Sequence, residues 1–471
     1  MAIEWTGSSP DVLVRLDRGS SEPLRAQLER ELREAIRSGR LRAGERLPST
    51  RELARTLGVS RSLVVNCFDQ LQAEGYLQAR SGSATRVSPT AHTPSRAFRK
   101  AGPATPTSPR PEIDFLPAVP DLGSFPRGDW ARTAAEVYRD VPRTDFDYGD
   151  GRGNPRLRDV LSSYLGRVRG AAADPEHIVI CTGFTQGLNL ALAVLAAGGV
   201  ARVAFEDPGY DETSRRAADF AGSKLVHVPV DAQGVRVDAL AAVNAKAVVL
   251  TPAHQWPTGV VLSPQRRLAL ANWAAHADGW IVEDDYDAEF RYDRNPVGVV
   301  QGLAPERVIS IGTASKSLAP ALRLGWVLCP PALVDQIAQL KVAADRGTAG
   351  LEQLILARLI ESGRFDRHLR RMRKTYAAKR DALITAFDEH VPGVGIHGLD
   401  AGFHAVASLP DGVTEAAVVA AARDRGVGLY GMSANRSNKA ASPPRLVLGF
   451  GNLSERAIVE GIARIADLLT P

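Results

Sequence analysis

The sequence predicts a two-domain fold, with a small helical domain at the N-terminus and a large α/β domain built on a mainly parallel sheet. Apolar residues recur every four positions near the N-terminus, which is the spacing of one helix face. A proline-rich stretch follows. Beyond it, short Val/Ile-rich runs alternate with Ala/Leu-rich amphipathic stretches. Such alternation is typical of a parallel sheet with helices on both faces.

The proline-rich stretch sets the domain boundaries. Residues 88–111 contain six prolines, four basic residues and no acidic residue. Proline fixes φ and lacks a backbone donor, so neither a helix nor a central strand suits this composition. We therefore predict a first domain at residues 1–87, a basic linker at 88–111 and a second domain at 112–471.

Charge and composition narrow the classes of function. Residues 1–111 hold 18 Lys/Arg against 11 Asp/Glu, a net charge of +7, whereas the other residues carry −2. A basic excess confined to the first quarter indicates a polyanionic partner. No run of about 18 uncharged apolar residues exists, so we expect no membrane span. The three cysteines are far apart, which indicates a reducing cytoplasm rather than a disulfide framework or a thiolate metal site.

The first domain is predicted to contain three helices and a short ribbon. The first helix has four apolar residues on one face: Leu24, Leu28, Leu32 and Ile36. Ser49 begins a second helix, because Glu52 completes a capping box, and Gly58 ends it. Ser60 begins a third helix, and a segment that turns at Ser81–Ser83 follows as two strands. This order of elements predicts a winged helix-turn-helix.

A winged helix-turn-helix places the N-terminal end of its third helix in the DNA major groove. The residues expected at base edges are Arg61, Ser62, Val65 and Asn66. The residues expected at phosphates are Ser49, Arg51 and Ser60. Residues 24–77 resemble the GntR family of bacterial regulators, although Ser-Gly-Ser replaces the frequent Gly-x-Gly of the wing tip. The resemblance implies double-stranded operator DNA as a partner. The alternative is a winged helix used only for protein contacts.

Lys316 is a candidate functional residue of the second domain. It stands among small and hydroxylated residues, just after the strand-like run 307–312. An isolated lysine is usually a solvated side chain, but a partly desolvated lysine forms a Schiff base with an aldehyde. Pyridoxal 5′-phosphate (PLP) combines an aldehyde, a phosphate and a pyridine nitrogen, and each part requires matching groups in the protein.

Those matching groups occur at the ends of other predicted strands. Phosphate donors near the lysine are Thr313, Ser315 and Arg323. A turn between a strand and a helix adds the backbone N–H groups of Gly183, Phe184 and Thr185. Asp284, with Asp285 beside it, is expected to keep the pyridine nitrogen protonated. We expect Tyr286 at the ring oxygen and Tyr210 stacked on the ring.

The order and spacing of these motifs resemble the fold-type-I aminotransferases from Ile113 to Pro471. The resemblance implies that Lys316 is the Schiff-base lysine, that Asp284 faces the pyridine nitrogen and that Tyr286 faces the phenolic oxygen. Tyr148 matches the tyrosine that, in this family, reaches the phosphate of a neighbouring subunit. The resemblance therefore also implies a homodimer.

Two positions depart from the enzymes of that fold or match them less well. Trp256 replaces the asparagine of the Asn-Pro-Thr-Gly motif that binds the ring oxygen, which argues against ordinary transamination. His254 and Gln255 are the candidate substitutes for that asparagine. Arg445 lies near the arginine that grips a substrate carboxylate, but a shift of one or two residues would leave it facing solvent.

The combination of a GntR-type domain, a proline-rich linker and an aminotransferase-like domain resembles the MocR subfamily over nearly the whole chain. The resemblance implies a PLP-binding transcription regulator, typically a head-to-tail dimer. Some members control vitamin B6 synthesis in response to PLP, and we expect this chain to do the same. The alternatives are a sensor of an amine or amino acid through PLP, and a true aminotransferase with a dispensable N-terminal extension. A third class, a protein-interaction scaffold, does not explain Lys316, Asp284 and Arg323.

Overall fold

The computed structural model divides the chain into two compact units between Ser108 and Pro109. It describes residues 14, 16–79, 84–89, 110–292, 298–410, 412–439 and 443–470. The wing tip at Ser81–Ser83 and most of the linker therefore lie outside the described residues. Within the described ranges, no helix is both long enough and apolar enough to span a bilayer.

The first unit is a winged helix-turn-helix. Its elements are α1 (Leu24–Arg37), α2 (Thr50–Leu57), α3 (Arg61–Ala73), β1 (Leu77–Gln78) and β2 (Arg86–Val87). The strands pair antiparallel, with Leu77 opposite Val87. The apolar positions predicted from the helix spacing are buried together, among them Leu28, Leu32 and Phe68. Burial of each such side chain contributes roughly 1.5–3 kcal/mol, so this core explains how a short unit forms three helices. The sequence-based prediction of this domain is confirmed.

The second unit alternates strands with helices. From Ile113 to Ala242 its elements are β3 (Ile113–Asp114), α4 (Arg127–Asp140), α5 (Pro155–Arg169), β4 (Ile178–Cys181), α6 (Phe184–Ala197), β5 (Arg202–Asp207), α7 (Asp211–Ala221), β6 (Lys224–Asp231), β7 (Gly234–Val235) and α8 (Asp238–Ala242). From Ala247 to Asp345 they are β8 (Ala247–Leu250), α9 (Pro264–His276), β9 (Trp280–Asp285), β10 (Val308–Thr313), β11 (Gly325–Leu328) and α10 (Val334–Asp345). The remaining elements are α11 (Gly350–Glu361), α12 (Arg364–His390), β12 (Ile396–His397), β13 (His404–Ser408), α13 (Glu415–Asp424), β14 (Val427–Gly428), β15 (Arg445–Gly449) and α14 (Glu455–Leu469).

An eight-stranded sheet forms the centre of this unit, in the order β4-β11-β10-β9-β8-β5-β6-β7. Strands β10, β9, β8, β5 and β6 pair parallel to one another. Strand β11 runs antiparallel between β10 and β4, and β7 runs antiparallel to β6. The prediction of a mainly parallel sheet is confirmed. The carboxyl ends of the parallel strands meet at one edge, where ligand sites form in such sheets.

A smaller layer packs beside the central sheet. Strands β12, β13 and β15 form an antiparallel sheet, and β14 pairs in parallel with β3. Helices α12 and α14 bury their apolar faces in the same core, which includes Tyr376, Phe403 and Ile462. This layer brings β13 and β15 to the edge of the sheet that carries the cofactor residues.

Candidate cofactor site and DNA-binding surface

The start of α3 presents polar side chains to solvent. Arg61, Ser62 and Asn66 are exposed, and Val65 is half-buried beside them. Ser60 caps the helix, since its hydroxyl accepts from the N–H of Leu63 at 3.2 Å. Arginine and asparagine exposed in the first turns of a recognition helix are suited to base edges. The predicted base-contacting residues therefore share one accessible surface.

The start of α2 carries the predicted phosphate contacts. The hydroxyl of Ser49 accepts from the N–H of Glu52 at 3.2 Å, which confirms the predicted helix cap. Arg51 is exposed in the same turn. As caps, the hydroxyls of Ser49 and Ser60 accept backbone N–H groups, so their O–H groups, the helix-start N–H groups and Arg51 are all donors suited to phosphates.

In the second unit, the turn from β4 into α6 forms an anion cradle with Arg323. Gly183 has φ of 110°, and a Cβ there would lie 3.3 Å from a guanidinium nitrogen of Arg323. Helix α6 begins at Phe184, and no side chain in the described ranges caps it. Its first N–H groups are thus available to a negative ligand, and the guanidinium adds a bidentate donor.

Two hydroxyls complete the cradle from the end of β10. The Thr313 hydroxyl donates to the Ser315 hydroxyl at 3.0 Å and accepts from the Ser315 N–H at 3.1 Å. Gly325 allows the two sides to meet, since a Cβ there would lie 2.7 Å from Cα of Gly183. The structure therefore brings all the predicted phosphate residues to one place.

Asp284 and Asp285 point to different surroundings at the end of β9. Both carboxylate oxygens of Asp285 accept from the Arg169 guanidinium, at 2.7 and 2.8 Å. Asp284 is buried, and its Oδ1 has no hydrogen-bond partner among the described residues. Burial, followed by the negative charge of Asp285, raises the pKa of Asp284 well above its usual value. A buried acceptor without a donor is costly, so Asp284 is suited to a protonated ligand nitrogen.

Lys316 lies close enough to Asp284 for their charges to interact. Its Nζ donates to the carbonyl oxygen of Ala118. Burial lowers the pKa of Lys316, and Asp284 and Asp287 oppose that shift. A lowered pKa increases the neutral fraction of the amine, which is the form that attacks an aldehyde.

Aromatic rings surround the predicted ring position. Tyr210 stacks on Trp256 with centroids 5.6 Å apart and an interplanar angle of 12°, and Phe184 lies 5.8 Å from Tyr210. The Tyr286 hydroxyl donates to the carbonyl oxygen of His254 at 2.9 Å. Trp256 thus occupies its position as an aromatic support for Tyr210, and its Nε1 donates to Asn435 at 3.2 Å.

Neither candidate substitute for the missing asparagine is available to a ligand. The side-chain amide nitrogen of Gln255 donates to the carbonyl oxygens of Pro208 and Trp256, and its oxygen accepts from Thr258. His254 is paired with Asp287 at 2.7 Å. Protein groups already occupy the polar atoms of both residues, so either one would have to give up a hydrogen bond to bind the ring oxygen.

Arg445 lies on the face of β15 that points towards this site. It is two residues from Val447, whose side chain packs with Trp256 and Tyr286, and alternate residues of a strand share a face. Its Nε is buried, and the described part of the chain offers it no hydrogen-bond partner. Arg445 is therefore half-buried, with its Nε turned away from solvent.

Tyr148 lies at the surface of the chain. Its side chain is 74% exposed and stacks under the guanidinium of Arg346 at 4.8 Å. A large exposed aromatic ring of this kind is typical of a surface that another subunit covers.

Sequence reasoning missed a buried cluster formed by His254, Asp287 and His404. The three side chains are at most 1% exposed, and their candidate ligand atoms lie within 4.8 Å of one another. The residues come from three separate segments, so no short spacing motif reveals them. Burial, followed by the charge of His254, lowers the pKa of His404 well below its usual value.

Comparison with known families accounts for both units. Residues 24–87 match the family model "Bacterial regulatory proteins, gntR family", and residues 122–458 match "Aminotransferase class I and II". The probable rhizopine catabolism regulatory protein MocR of Rhizobium meliloti is 34% identical over 95% of this chain and 94% of its own length. The chain belongs to the MocR subfamily of GntR-type transcription regulators.

A second regulator and a solved aminotransferase structure are also similar to this chain. The pyridoxine biosynthesis regulator PdxR of Corynebacterium glutamicum is 30% identical over 98% of this chain and 99% of its own length. The kynurenine aminotransferase of Pyrococcus horikoshii is 28% identical with a TM-score of 0.69, covering 76% of this chain and 90% of that one. This MocR-type chain is thus a DNA-binding transcription regulator whose aminotransferase-like domain has PLP as its cofactor.

Proposed function

We propose that this regulator binds PLP covalently at Lys316, that its operator binding changes in response, and that its targets are genes of vitamin B6 synthesis. The observation that carries the proposal is the buried carboxylate of Asp284 near Lys316, whose Oδ1 has no hydrogen-bond partner among the described residues. Such a carboxylate suits the protonated pyridine nitrogen of PLP. The similarity to the pyridoxine biosynthesis regulator supports the choice of target.

Each part of the proposed site has a separate task. PLP supplies an aldehyde that forms a Schiff base with an amine. Arg323, Thr313, Ser315 and the N–H groups of Gly183, Phe184 and Thr185 bind the phosphate. Asp284 would keep the pyridine nitrogen protonated, and Tyr286 would hold the ring oxygen. Tyr210, supported by Trp256, covers one face of the ring and excludes water from it.

The proposed response is a linkage between cofactor and DNA. PLP shifts an equilibrium between two arrangements only by its difference in affinity for them. We propose a head-to-tail homodimer in the cytoplasm in which Tyr148 of one subunit reaches the phosphate of the other. In such a dimer the linker keeps the second winged helix near the second operator half-site, at a raised effective concentration.

The test is a DNA titration with and without PLP, using wild type, Lys316→Ala and the control Lys224→Ala, an exposed surface lysine. Wild type and Lys224→Ala should bind PLP in a form that absorbs visible light and is reduced by borohydride, and PLP should alter their operator affinity. Lys316→Ala should lose both properties. A reducible band that persists in Lys316→Ala would exclude the covalent assignment.

A second candidate function is the sensing of an amino acid or other amine carrying a carboxylate. Arg445 favours it, because an unpartnered guanidinium atom on the site-facing side of β15 is suited to a carboxylate. The incoming amine would replace Lys316 on the cofactor. We give priority to PLP as the signal, since the PLP contacts need no further ligand.

The rival class is a true aminotransferase. We propose that turnover is negligible, because Trp256 is engaged with Tyr210 and Asn435 and leaves no amide for the ring oxygen. Sustained turnover of about one per second or more with common amino donors and keto acids would contradict this.

A further inference from the structure

The buried cluster of His254, Asp287 and His404 adjoins the residues proposed to bind the cofactor ring. The two imidazole rings lie 4.5 Å apart, and the ring of His404 lies 5.1 Å from Trp256. The hydroxyl of Tyr286 lies 3.4 Å from Nδ1 of His254, in addition to its bond to the His254 carbonyl. The cluster therefore contacts Tyr286, which is the residue proposed to bind the ring oxygen of the cofactor.

The contacts of His254 determine its charge. Its Nδ1 lies 2.7 Å from Oδ2 of Asp287, and its Nε2 lies 3.2 Å from the carbonyl oxygen of Gly398. Both neighbours are acceptors, which favours a proton on each ring nitrogen and therefore the imidazolium form. Burial alone would lower the pKa of His254, but the Asp287 carboxylate reverses that effect and the pKa is raised.

The backbone encloses this ion pair. A Cβ at Gly402, which has φ of 69°, would overlap Oδ2 of Asp287 and lie 2.6 Å from Nδ1 of His254. Gly402 and Gly398 belong to the segment that leads into β13, whereas His254 and Asp287 follow β8 and β9. The pair is thus fixed between the central sheet and the smaller layer, with little freedom to turn towards another partner.

Trp256 leaves the ring-oxygen side without the amide that enzymes of the fold place there. Its indole nitrogen is bonded to Asn435, and the amide of Gln255 is bonded to backbone carbonyls. We propose, on the basis of the PLP site described above, that His254 is a positioning residue: paired with Asp287, it contacts the Tyr286 hydroxyl and offsets the negative charge of Asp287 on the ring-oxygen side of the site.

The charges around His254 are few. Asp287, Arg291 and Tyr286 face it from the segment after β9, and His404 faces it from β13. His404 stays neutral, because burial and the adjacent imidazolium lower its pKa, and Lys316 acts in the same direction. Removing His254 would therefore leave the anion of Asp287 as the charge closest to Tyr286.

The experiment compares His254→Asn, Asp287→Asn and the double variant, with the exposed His276→Asn as a control. Each is titrated with PLP, and the pH midpoint of the visible absorbance change of the bound cofactor is measured. His254→Asn should raise that midpoint, since an unpaired anion favours the protonated form, and should weaken PLP binding about tenfold, because the charge of Asp287 beside Tyr286 is then uncompensated. The double variant removes both charges, so its midpoint should return towards that of wild type.

A purely structural role gives a different pattern. It predicts that the double variant is at least as impaired as either single variant and that all midpoints stay at the wild-type value; either result would overturn the proposal. Should His254→Asn not fold, the double variant still decides the question, because it leaves no unpaired buried charge.

A stoichiometric divalent metal ion in the purified protein, lost in His404→Phe, would also overturn the proposal, since His254 would then be a metal ligand. Absence of a reducible PLP band in wild type would instead refute the proposed function itself.

Discussion

The two units present their proposed functional residues in opposite ways. At the start of α3, Arg61, Ser62 and Asn66 are exposed and take little part in the core. In the second unit, Asp284 is buried and keeps a polar atom unpaired. An exposed group can be substituted at little cost in stability, whereas a buried unpaired group costs about 1–3 kcal/mol until its ligand arrives. The DNA surface is thus separable from folding, but the cofactor site is not.

The largest expected effect is the loss of operator binding when the first unit is removed. Residues 112–471 should bind PLP but not operator DNA, whereas the full chain should bind DNA with an affinity that falls steeply with salt. A gel-shift titration at two salt concentrations measures this. Operator binding by residues 112–471 equal to that of the full chain would disprove the assignment of DNA binding to the first unit.

Within the first unit, Arg61→Ala should reduce the preference for operator over random DNA by about 1–3 kcal/mol while leaving the unfolding transition unchanged. Arg25→Ala is a matched control, because Arg25 is also exposed but lies on α1 in an ion pair with Glu29. Equal loss of preference in the two variants would show that charge alone, and not the start of α3, determines operator choice.

The adjacent pair Asp284 and Asp285 tests the buried site. Asp284→Ala should weaken PLP binding by about ten- to a hundredfold and leave the free energy of unfolding of the cofactor-free protein unchanged or raised. Asp285→Ala should lower that free energy by about 1–3 kcal/mol, because it removes the carboxylate that accepts two hydrogen bonds from the buried Arg169 guanidinium. PLP titrations and urea unfolding of both variants separate the effects, and equal PLP affinities would show that the register of β9 is misassigned.

Glu206 provides a smaller, pH-dependent test. It is buried, accepts from Thr251, and burial raises its pKa to about 7. The unfolded carboxyl releases its proton near its usual pKa of about 4.3, so the folded state binds more protons between these values and loses stability as pH rises through the window. Glu206→Gln should therefore gain about 1–3 kcal/mol relative to wild type on going from pH of about 4 to about 8. An identical pH dependence in both proteins, measured by urea unfolding, would contradict the raised pKa.

The smallest effect is expected for Arg445. With saturating PLP present, amines and amino acids should change operator affinity little, and Arg445→Ala should respond to PLP as wild type does. The measurement is a DNA titration across a panel of amino compounds. A specific compound that shifts affinity several-fold in wild type but not in Arg445→Ala would replace PLP as the signal and leave the regulator class intact.

Local signals in the sequence were sufficient for elements whose causes are local. The caps at Ser49 and Ser60, and the strand before Lys316, follow from neighbouring residues and agree with the structure. The opposite directions of Asp284 and Asp285 follow from the alternation of side chains along a strand. The partner of Asp285, Arg169, is 116 residues away in sequence and could not be inferred from spacing.

Long-range packing explains what the sequence did not reveal. His254, Asp287 and His404 meet because they lie just after β8, just after β9 and at the start of β13, and no local pattern near one residue indicates the other two. The function of Trp256 was unknown until its stacking on Tyr210 placed it as an aromatic support. The site-facing register of Arg445 required the pairing of β15 with β13, in which Val447 lies opposite Val406.

The pairing of β3 with β14 has a consequence for synthesis of the chain on the ribosome. Ile113 lies opposite Val427, and Asp114 accepts from the hydroxyl of Tyr430, 316 residues later in sequence. The first strand after the linker therefore stays without its neighbour until almost the whole polypeptide has emerged. The winged helix closes its core within the first 87 residues and folds early. A nascent chain can thus acquire its DNA-binding surface well before the unit that responds to the cofactor is complete.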